Sequence, residues 1–294
     1  MSNLGKLFSK ALIICSIFSM SPGLFAQAQC GTQVLTIPSP AGTFTQVTDL
    51  DDKGDILGKL ISNSGTSITG FLFSQGVFTH FRFPGSLETI PLDINRNSVI
   101  VGSFDQEHAF MAHSGTFSEI KLPGFPDASV VATGINDQGD IVGVFTSNSV
   151  SHGFLLHQGE LTIISFPGAQ GGTAPASINN AGVIVGTFEI GTGPPEGTPI
   201  NDTQGFMWKD GNFTTIDVPG AQDTLPAKIN DNGAIVGTYL DSNDGAHGFA
   251  FSNGQFFDIE LKGPNTQIFA LNNFSNVLGV SDAGTFKGFC SAVF

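Results

Sequence analysis

The stretch INDNGAIVGTY, from Ile229 to Tyr239, decides the fold because its pattern recurs along the chain. A polar turn ending in glycine separates two short apolar runs, and the glycines that close the copies lie 41 to 51 residues apart. The six copies are LDDKGDILG (50–58), INRNSVIVG (94–102), INDQGDIVG (135–143), INNAGVIVG (178–186), INDNGAIVG (229–237) and LNNFSNVLG (271–279).

A second unit recurs with the same spacing, as in GFLLHQGELTIISFPG from residue 153. Its last copy is truncated to GFCSAVF (288–294), and a matching second half, TQVLTIPSPAG (32–42), stands near the start of the chain. Each period therefore contains four short strand candidates. Strands A and B come from the second unit, and strands C and D flank the polar turn, each pair joined as a hairpin.

Four strands in a repeat of 40 to 50 residues are typical of a β-propeller blade. We therefore predict an all-β, six-bladed β-propeller with a split blade that closes the N- and C-terminal strands. A β-solenoid is the rival fold, but it leaves the split repeat unexplained. The predicted repeats span 33–70, 71–108, 109–153, 154–205, 206–248 and 249–288, with a closing strand at 289–294.

The split repeat predicts that strand A at 289–293 pairs with strand B at 34–37, which removes a free sheet edge. Cys30 precedes this strand B and Cys290 lies in this strand A. An even pair of cysteines in an exported protein favours a Cys30–Cys290 disulfide. Two unpaired thiols are the alternative.

The N-terminus has the layout of a secretory signal peptide over residues 1–28, followed by one domain at 29–294. Lys6 and Lys10 precede a short apolar run, and Ala26-Gln27-Ala28 offers a small-x-small cleavage site. Cleavage is expected after Ala28, or alternatively after Ala26. Acylation at Cys30 would require a small residue where Gln29 stands. We expect a bacterial protein that is secreted or periplasmic.

The charge balance excludes some partners. The formal charge is −14, and it becomes −16 without residues 1–28 because two lysines and no acidic residue are lost. So acidic a chain repels nucleic acid and anionic lipid surfaces. No later segment is apolar over a membrane-spanning length. We expect a monomer.

The polar turns are predicted to be structural. Asn or Asp at the first positions and Gly at the fourth suit a type I turn followed by a left-handed residue, with Ser98 and Ser275 in two copies. A metal site at these turns would not tolerate the arginine at the second position. That position holds Asp52, Arg96, Asp137, Asn180, Asp231 and Asn273.

One aromatic position recurs in strand A and is predicted to pack between sheets. It holds Phe71, Phe110, Phe154, Phe206, Phe249 and Phe289. Histidines stand just before it in three copies. They are expected to bond neighbouring loops, with a convergent ligand or metal cluster as the alternative.

The connections from strand D to the next strand A vary most in length and should open on one face, which predicts the binding face. The longest is 188–204. DSNDG (241–245) only partly matches a Ca²⁺ loop, because it lacks the distal glutamate. The candidate ligand-binding residues are Glu189, Glu196, Asn201, Asp202, Asp241, Asp244, His108, His152 and His247.

The chain contains no nucleophile elbow, H-E-x-x-H or C-x-x-C motif. We therefore predict no catalytic residues, metal or cofactor. Two carboxylates brought together over the channel could still cleave a glycoside, so a polysaccharide hydrolase or lyase is the alternative.

The literal HAF at 108–110 and the HGF variants at 152–154 and 247–249 occur together with IDVPGA and the IND-x-G-x-IVG turns. In this combination the chain resembles the bacterial HAF-repeat proteins, a family of extracellular repeats. The resemblance covers essentially the whole predicted mature chain and implies export, but it brings no established activity. We therefore expect a secreted, non-enzymatic binding scaffold whose ligand is an extracellular polysaccharide or protein.

Overall fold

The computed structural model describes residues 26–27, 30–34, 37, 39–190, 203–261, 263–282 and 284–290. Within these ranges no helix is long and apolar enough to cross a membrane. The described strands are β1 (Ala26–Gln27), β2 (Cys30–Val34), β3 (Thr43–Leu50), β4 (Ile56–Ser62), β5 (Ile68–Ser74), β6 (Val77–Phe81), β7 (Thr89–Ile94), β8 (Ile100–Phe104), β9 (His108–His113), β10 (Thr116–Ile120), β11 (Ser129–Ile135), β12 (Ile141–Ser147), β13 (Val150–His157), β14 (Glu160–Ile164), β15 (Thr173–Ile178), β16 (Ile184–Glu189), β17 (Thr203–Lys209), β18 (Asn212–Ile216), β19 (Asp223–Ile229), β20 (Ile235–Leu240), β21 (Ala246–Ser252), β22 (Gln255–Ile259), β23 (Gln267–Leu271), β24 (Asn276–Ser281) and β25 (Gly284–Cys290).

These strands form antiparallel sheets arranged as a β-propeller, as the repeat predicted. Five sheets each use one continuous run of chain: sheet 1 is β3–β6, sheet 2 is β7–β10, sheet 3 is β11–β14, sheet 4 is β15–β18, and sheet 5 is β19–β22. Sheet 6 joins β23–β25 to β2 from the other end of the chain. The short β1 adds to sheet 5 alongside β22 in parallel, and it lies inside the predicted signal peptide.

Strand C is the innermost strand of each sheet, followed outward by D, A and B. Each inner strand lies against the inner strands of its two neighbours, and β23 lies against β3. Each sheet therefore begins inside one predicted repeat and ends inside the next. The C–D and A–B turns share one end of the strands, here called the turn face. The D–A connections lie at the other end, here called the loop face.

Apolar side chains fill the spaces between neighbouring sheets, including the space between sheets 6 and 1. The recurring aromatic residue is at most 1% exposed at Phe71, Phe110, Phe154, Phe206 and Phe249, which confirms its predicted core role. The side chain of Phe289 lies outside the described part.

The recurring glycine of strand D makes room for that aromatic ring. Gly143 pairs with Phe154 across the ladder, and a Cβ at Gly143 would stand 2.9 Å from the ring. Gly237 has the same relation to Phe249. The nearest atom is in each case a backbone carbonyl oxygen of strand C, 2.0 Å from a Cβ at Gly143 and 2.2 Å from one at Gly237. Backbone cannot move aside as a flexible side chain can, which explains why the closing glycine recurs.

The polar turns have the predicted geometry. The fourth turn position has a positive φ in all six copies, at Gly54, Ser98, Gly139, Gly182, Gly233 and Ser275. In the turn formed by residues 230–233, the Gly233 N–H donates to the carbonyl of Asn230 at 3.0 Å. The left-handed residue is therefore a property of the turn, which serine adopts at some strain where glycine is absent.

Candidate functional site

The six polar turns meet around the propeller axis on the turn face. The first residue of each turn caps it, as where Asn230 Oδ1 accepts the N–H groups of Asn232 at 3.1 Å and Ala234 at 2.9 Å. Its Nδ2 then donates to the carbonyl of the equivalent residue in the next sheet. These bonds run Asn95 to Asn136, Asn136 to Asn179, Asn179 to Asn230, Asn230 to Asn272 and Asn272 to Asp51, at 2.9 to 3.4 Å.

Asp51 interrupts this circle because a carboxylate has no N–H to donate. It still caps its own turn, accepting from Lys53 at 2.9 Å and Asp55 at 2.8 Å. Burial raises the pKa of Asp51, and the two backbone hydrogen bonds only partly oppose this effect. The joint between sheets 1 and 2 therefore lacks the amide bond that the other joints have.

The second turn residues form a wider circle at the mouth. Except at Arg96, which has no side-chain oxygen, the side-chain oxygen of each accepts the backbone N–H of its equivalent in the preceding sheet. The bonds join Arg96 to Asp137, Asp137 to Asn180, Asn180 to Asp231, Asp231 to Asn273 and Asn273 to Asp52, at 2.7 to 2.9 Å. Because these partners lie in different repeats, the turns hold the sheets together as well as joining strands.

Arg96 lies across the mouth. Its Nη2 is 2.6 Å from Asp137 Oδ2 in the adjacent sheet and 3.2 Å from Asp231 Oδ2 three sheets away. Asp52 is farther, at 3.9 Å from Nε. Partial burial raises the pKa of Asp137, but hydrogen bonds from Asn180 and Arg96 outweigh it and bring the pKa below its usual range. The mouth thus carries three carboxylates and one guanidinium.

A buried ion cluster lies beneath the mouth. Every inner strand has a register shift just before its end, and the residue after the shift is Asp49, Asp93, Gly134, Ser177, Lys228 or Ala270. Such bulges redirect a side chain. Lys228 Nζ of sheet 5 donates to Asp49 Oδ2 of sheet 1 at 3.0 Å and also to Asp93 Oδ1 of sheet 2.

The two carboxyls of this cluster titrate in opposite directions. Burial raises the pKa of Asp49 well above its usual value, and the neighbouring Asp93 adds to this, while Lys228 opposes it. Burial also raises the pKa of Asp93, but the Lys228 charge and hydrogen bonds from Asp49, Lys228 and Ile135 bring it below its usual value. The two carboxylates raise the pKa of Lys228 despite its burial. Asp49 is therefore the carboxyl of the two that binds a proton more readily, while Asp93 is paired with Lys228.

The space above this cluster is small. The axial depression has a cavity volume of about 70 Å³ and is lined by the ends of all six inner strands. Asp49 is 1% exposed and Asp93 2%. Among the described residues no group of three or more His, Cys, Asp or Glu side chains is arranged to hold a metal ion. The axial cluster can order the ring, but it has little room for a ligand.

The three predicted histidines do not converge. Each pairs across the ladder with an aromatic residue at the end of strand D of its own sheet. Ring centroids are 5.0 Å apart for Phe104 and His108, 5.2 Å for Phe145 and His152, and 5.0 Å for Tyr239 and His247. His108 also bonds Glu119 at 3.0 Å and His247 bonds Asp241 at 3.2 Å, both within their own sheet.

The other predicted residues lie on the loop face where the structure describes them. Glu189 ends β16 and is exposed. Asp241 caps its loop, accepting from Asn243 at 2.8 Å and Gly245 at 2.9 Å, and these bonds hold the pKa of Asp241 below its usual range. Asp244 occupies the positive-φ position of the same loop. The predicted residues Glu196, Asn201 and Asp202 lie outside the described part.

A larger pocket opens on the loop face between sheets 2 and 3. Its volume is about 320 Å³. The side chains that matter for its chemistry are Glu107, His108, Glu119, Lys121, Phe125 and Asp127. Only His108 among these was a sequence candidate. The connection 121–128 contains proline and glycine as an ordinary turn does, so its sequence did not indicate that it lines a pocket.

Comparisons with known proteins support the fold alone. No family model matches the chain, and no curated protein matches it. The fold is similar to TolB from Acinetobacter baumannii, with 11% identity and a TM-score of 0.55 over 81% of this chain and 64% of that one. This chain thus spans less than two thirds of the TolB chain.

For two further solved structures, the match with this chain covers a larger share of the other protein's length. A mutant of AofleA from Arthrobotrys oligospora is 12% identical, with a TM-score of 0.51 over 92% of this chain and 91% of that one. The SapL1 lectin in complex with α-methyl fucoside is 8% identical, with a TM-score of 0.50 over 80% and 87%.

Proposed function

We propose that the chain is a closed six-bladed propeller whose sixth blade is sheet 6, built from both ends of the chain. The support is backbone pairing of β2 with β25, contact of β23 with β3, and the amide bonds from Asn272 and Asn273 to sheet 1. The paired strand is Cys30–Val34, earlier than the predicted 34–37.

A Cys30–Cys290 disulfide is part of this proposal. The two residues are direct partners in the β2–β25 ladder. Direct partners on antiparallel strands have Cα atoms about 4.5 to 5.5 Å apart, which is within the range that a disulfide spans.

We further propose that the protein is a secreted, non-enzymatic binding scaffold, and that its ligand is an extracellular polysaccharide. The signal-like N-terminus and the resemblance to HAF-repeat proteins support export. The similarity of the fold to a lectin propeller supports a sugar ligand.

One observation favours the loop face as the ligand face. On the turn face the axial mouth is spanned by the protein's own Arg96, and its carboxylates are engaged by neighbouring turns. The loop face instead carries the variable connections and the 320 Å³ pocket. Ligand sites are usually concave and formed in advance, and the loop-face pocket offers more such space than the axial depression.

The test is to incubate the purified mature protein with bacterial and plant polysaccharides and to measure retention and released sugar in the same tubes. We expect retention on at least one polymer without release. Absence of retention on every polymer would refute the sugar ligand and leave a protein partner as the next hypothesis.

A polysaccharide hydrolase or lyase is the second candidate, because the structure brings Asp49 and Asp93 together with opposite pKa shifts. Such a split pair is typical of acid–base catalysis. Both side chains are, however, buried beneath a depression of about 70 Å³, which leaves no room for a sugar chain. Release of sugar that is abolished by Asp93→Asn in a folded variant would establish the enzyme.

A further inference from the structure

The loop-face pocket between sheets 2 and 3 has the construction of a small-ligand site. Its volume of about 320 Å³ exceeds the axial depression more than fourfold and falls in the range of pockets that hold small molecules. The residue before β9 and the start of β11 are joined beside the pocket, where Val130 N–H donates to the Glu107 carbonyl at 2.9 Å. The pocket is therefore fixed by backbone contacts between two sheets.

Flat rings stand against this pocket. The His108 imidazole stacks on buried Phe104, with centroids 5.0 Å apart and planes 20° apart. Half-buried Phe125 packs against Phe145 with centroids 4.8 Å apart. Both rings are thus held in place from behind. Supported rings of this kind offer an apolar surface to the C–H face of a sugar, while Nε2 of the imidazole remains for a hydrogen bond because Nδ1 is engaged by Glu119.

The charge around the pocket is negative. Glu119 is engaged, with Oε1 3.0 Å from His108 Nδ1 and Oε2 3.5 Å from Lys121 Nζ. The carboxylates of Glu107 and Asp127 form no hydrogen bond or ion pair with any residue in the described ranges. Three carboxylates thus face one lysine, and two of them are open to a ligand. A cationic group is favoured there, and an acidic sugar is repelled.

We propose that this pocket binds a sugar residue with a free, protonated amino group, a hexosamine within a glycan. The ammonium would be held by Glu107 and Asp127, and the ring would lie on the His108 and Phe125 side. This proposal rests on the proposed scaffold function and names the ligand class of its loop face. A lysine side chain of a protein shares the ammonium but not the hydroxyl-bearing ring, which suits the polar imidazole and Glu119.

The experiment measures binding of glucosamine trisaccharide and its fully N-acetylated counterpart by titration calorimetry, with a trilysine peptide as a third probe. We expect the amino form to bind at least about tenfold more tightly than either of the others. Equal affinity for the acetylated form would overturn recognition of the amine, and tighter binding of trilysine would identify a protein ligand instead.

Two charge-removing variants locate the site. Glu107→Gln and Asp127→Asn should each weaken binding of the amino trisaccharide roughly fivefold, as expected for exposed ion pairs. Both side chains are exposed, so the fold should not change. Asp210→Asn is the control, since it removes one exposed charge on the turn face and should change nothing.

The outcomes separate the two proposals. If the wild-type protein retains no polysaccharide from the panel, the scaffold function for sugars fails. If it retains a polymer and both pocket variants bind that polymer unchanged, only the assignment of this pocket fails.

Discussion

Arg96 and Asp231 meet across the propeller axis, with 3.2 Å between Nη2 and Oδ2, although 135 residues separate them in sequence. We expect Arg96→Ala to lower the free energy of unfolding by about 1 kcal/mol at low salt, because it leaves the mouth carboxylates without their counter-charge. The loss should shrink in about 1 M salt, where exposed charges are screened. Urea unfolding at both salt levels measures this. The control is Lys209→Ala, which removes an exposed lysine elsewhere, and equal losses in the two variants would contradict the prediction.

Lys228→Met should be the most destabilising change in the axial cluster. It leaves the Asp93 charge buried without its partner, which costs about 3 to 5 kcal/mol. Adding Asp93→Asn to this variant should restore at least half of the loss, because the unpaired charge of Asp93 is then removed. Urea unfolding at neutral pH compares the two. If the double variant is the less stable one, the cluster is not held by this ion pair.

Asp49 should make stability depend on pH. Its folded pKa is raised, so the stabilisation from its bound proton is complete below the unfolded pKa of about 3.9 and is lost as pH rises through the folded value. Asp93 acts in the opposite sense, since its lowered pKa gives stabilisation that is lost as pH falls through the folded value. Asp49→Asn resembles the protonated form. Unfolding measured across pH should show the wild type losing stability relative to this variant above the folded pKa, and parallel curves would contradict this.

Asp51→Asn should stabilise the protein by about 1 kcal/mol at neutral pH. It supplies the missing donor to the Asn95 carbonyl and removes a carboxylate whose charged form is penalised by burial. The reciprocal change, Asn230→Asp, removes the donor to Asn272 and should destabilise by a similar amount. Thermal and urea unfolding of both variants tests the pair. A stabilising Asn230→Asp would show that the amide bonds do not hold the joints.

The chain ends should be linked covalently in the exported protein. Peptide mapping without reductant should yield one Cys30–Cys290 peptide, because the two residues are ladder partners. Reduction should lower the free energy of unfolding by up to about 5 kcal/mol, since the bond closes a long loop. Recovery of both cysteines as free thiols in the secreted protein would refute the link.

The repeat predicted most of the fold, because recurrence reports local structure. The left-handed turn position was located even at Ser98 and Ser275, and the recurring phenylalanines were correctly assigned to the core. The radial order of strands was not predictable, since a period shows which strands are neighbours but not which one is nearest the axis. From the sequence, the polar turns were predicted to be local structures. Their amides in fact join residues 41 to 51 positions apart, and 221 positions apart where sheet 6 meets sheet 1.

The site was predicted less well. The three histidines occupy equivalent places on separate sheets, so ring geometry keeps them apart. One sequence pattern could have indicated the Lys228 cluster. The position just before each Ile-Asn or Leu-Asx turn is charged in three copies and small in the other three. It holds Asp49, Asp93 and Lys228 in the first set and Gly134, Ser177 and Ala270 in the second. Charges at a position that is otherwise small indicate partners from other repeats, and only the tertiary arrangement of the sheets brings these together.

The circle of asparagine bonds has a consequence for the size of the ring. Apart from the joint between sheets 1 and 2, every joint uses an asparagine Nδ2 as donor and a backbone carbonyl as acceptor. An added repeat with the same turn would find matching neighbours, so these bonds alone do not fix the number of repeats. The contacts that do depend on the number of repeats are those that cross the centre, from Arg96 to Asp231 and from Lys228 to Asp93. The arginine side chain has a limited length. In a wider ring the Arg96 guanidinium would therefore not contact the Asp231 carboxylate. The length of the Arg96 side chain therefore sets an upper limit on the ring diameter at which this contact can form.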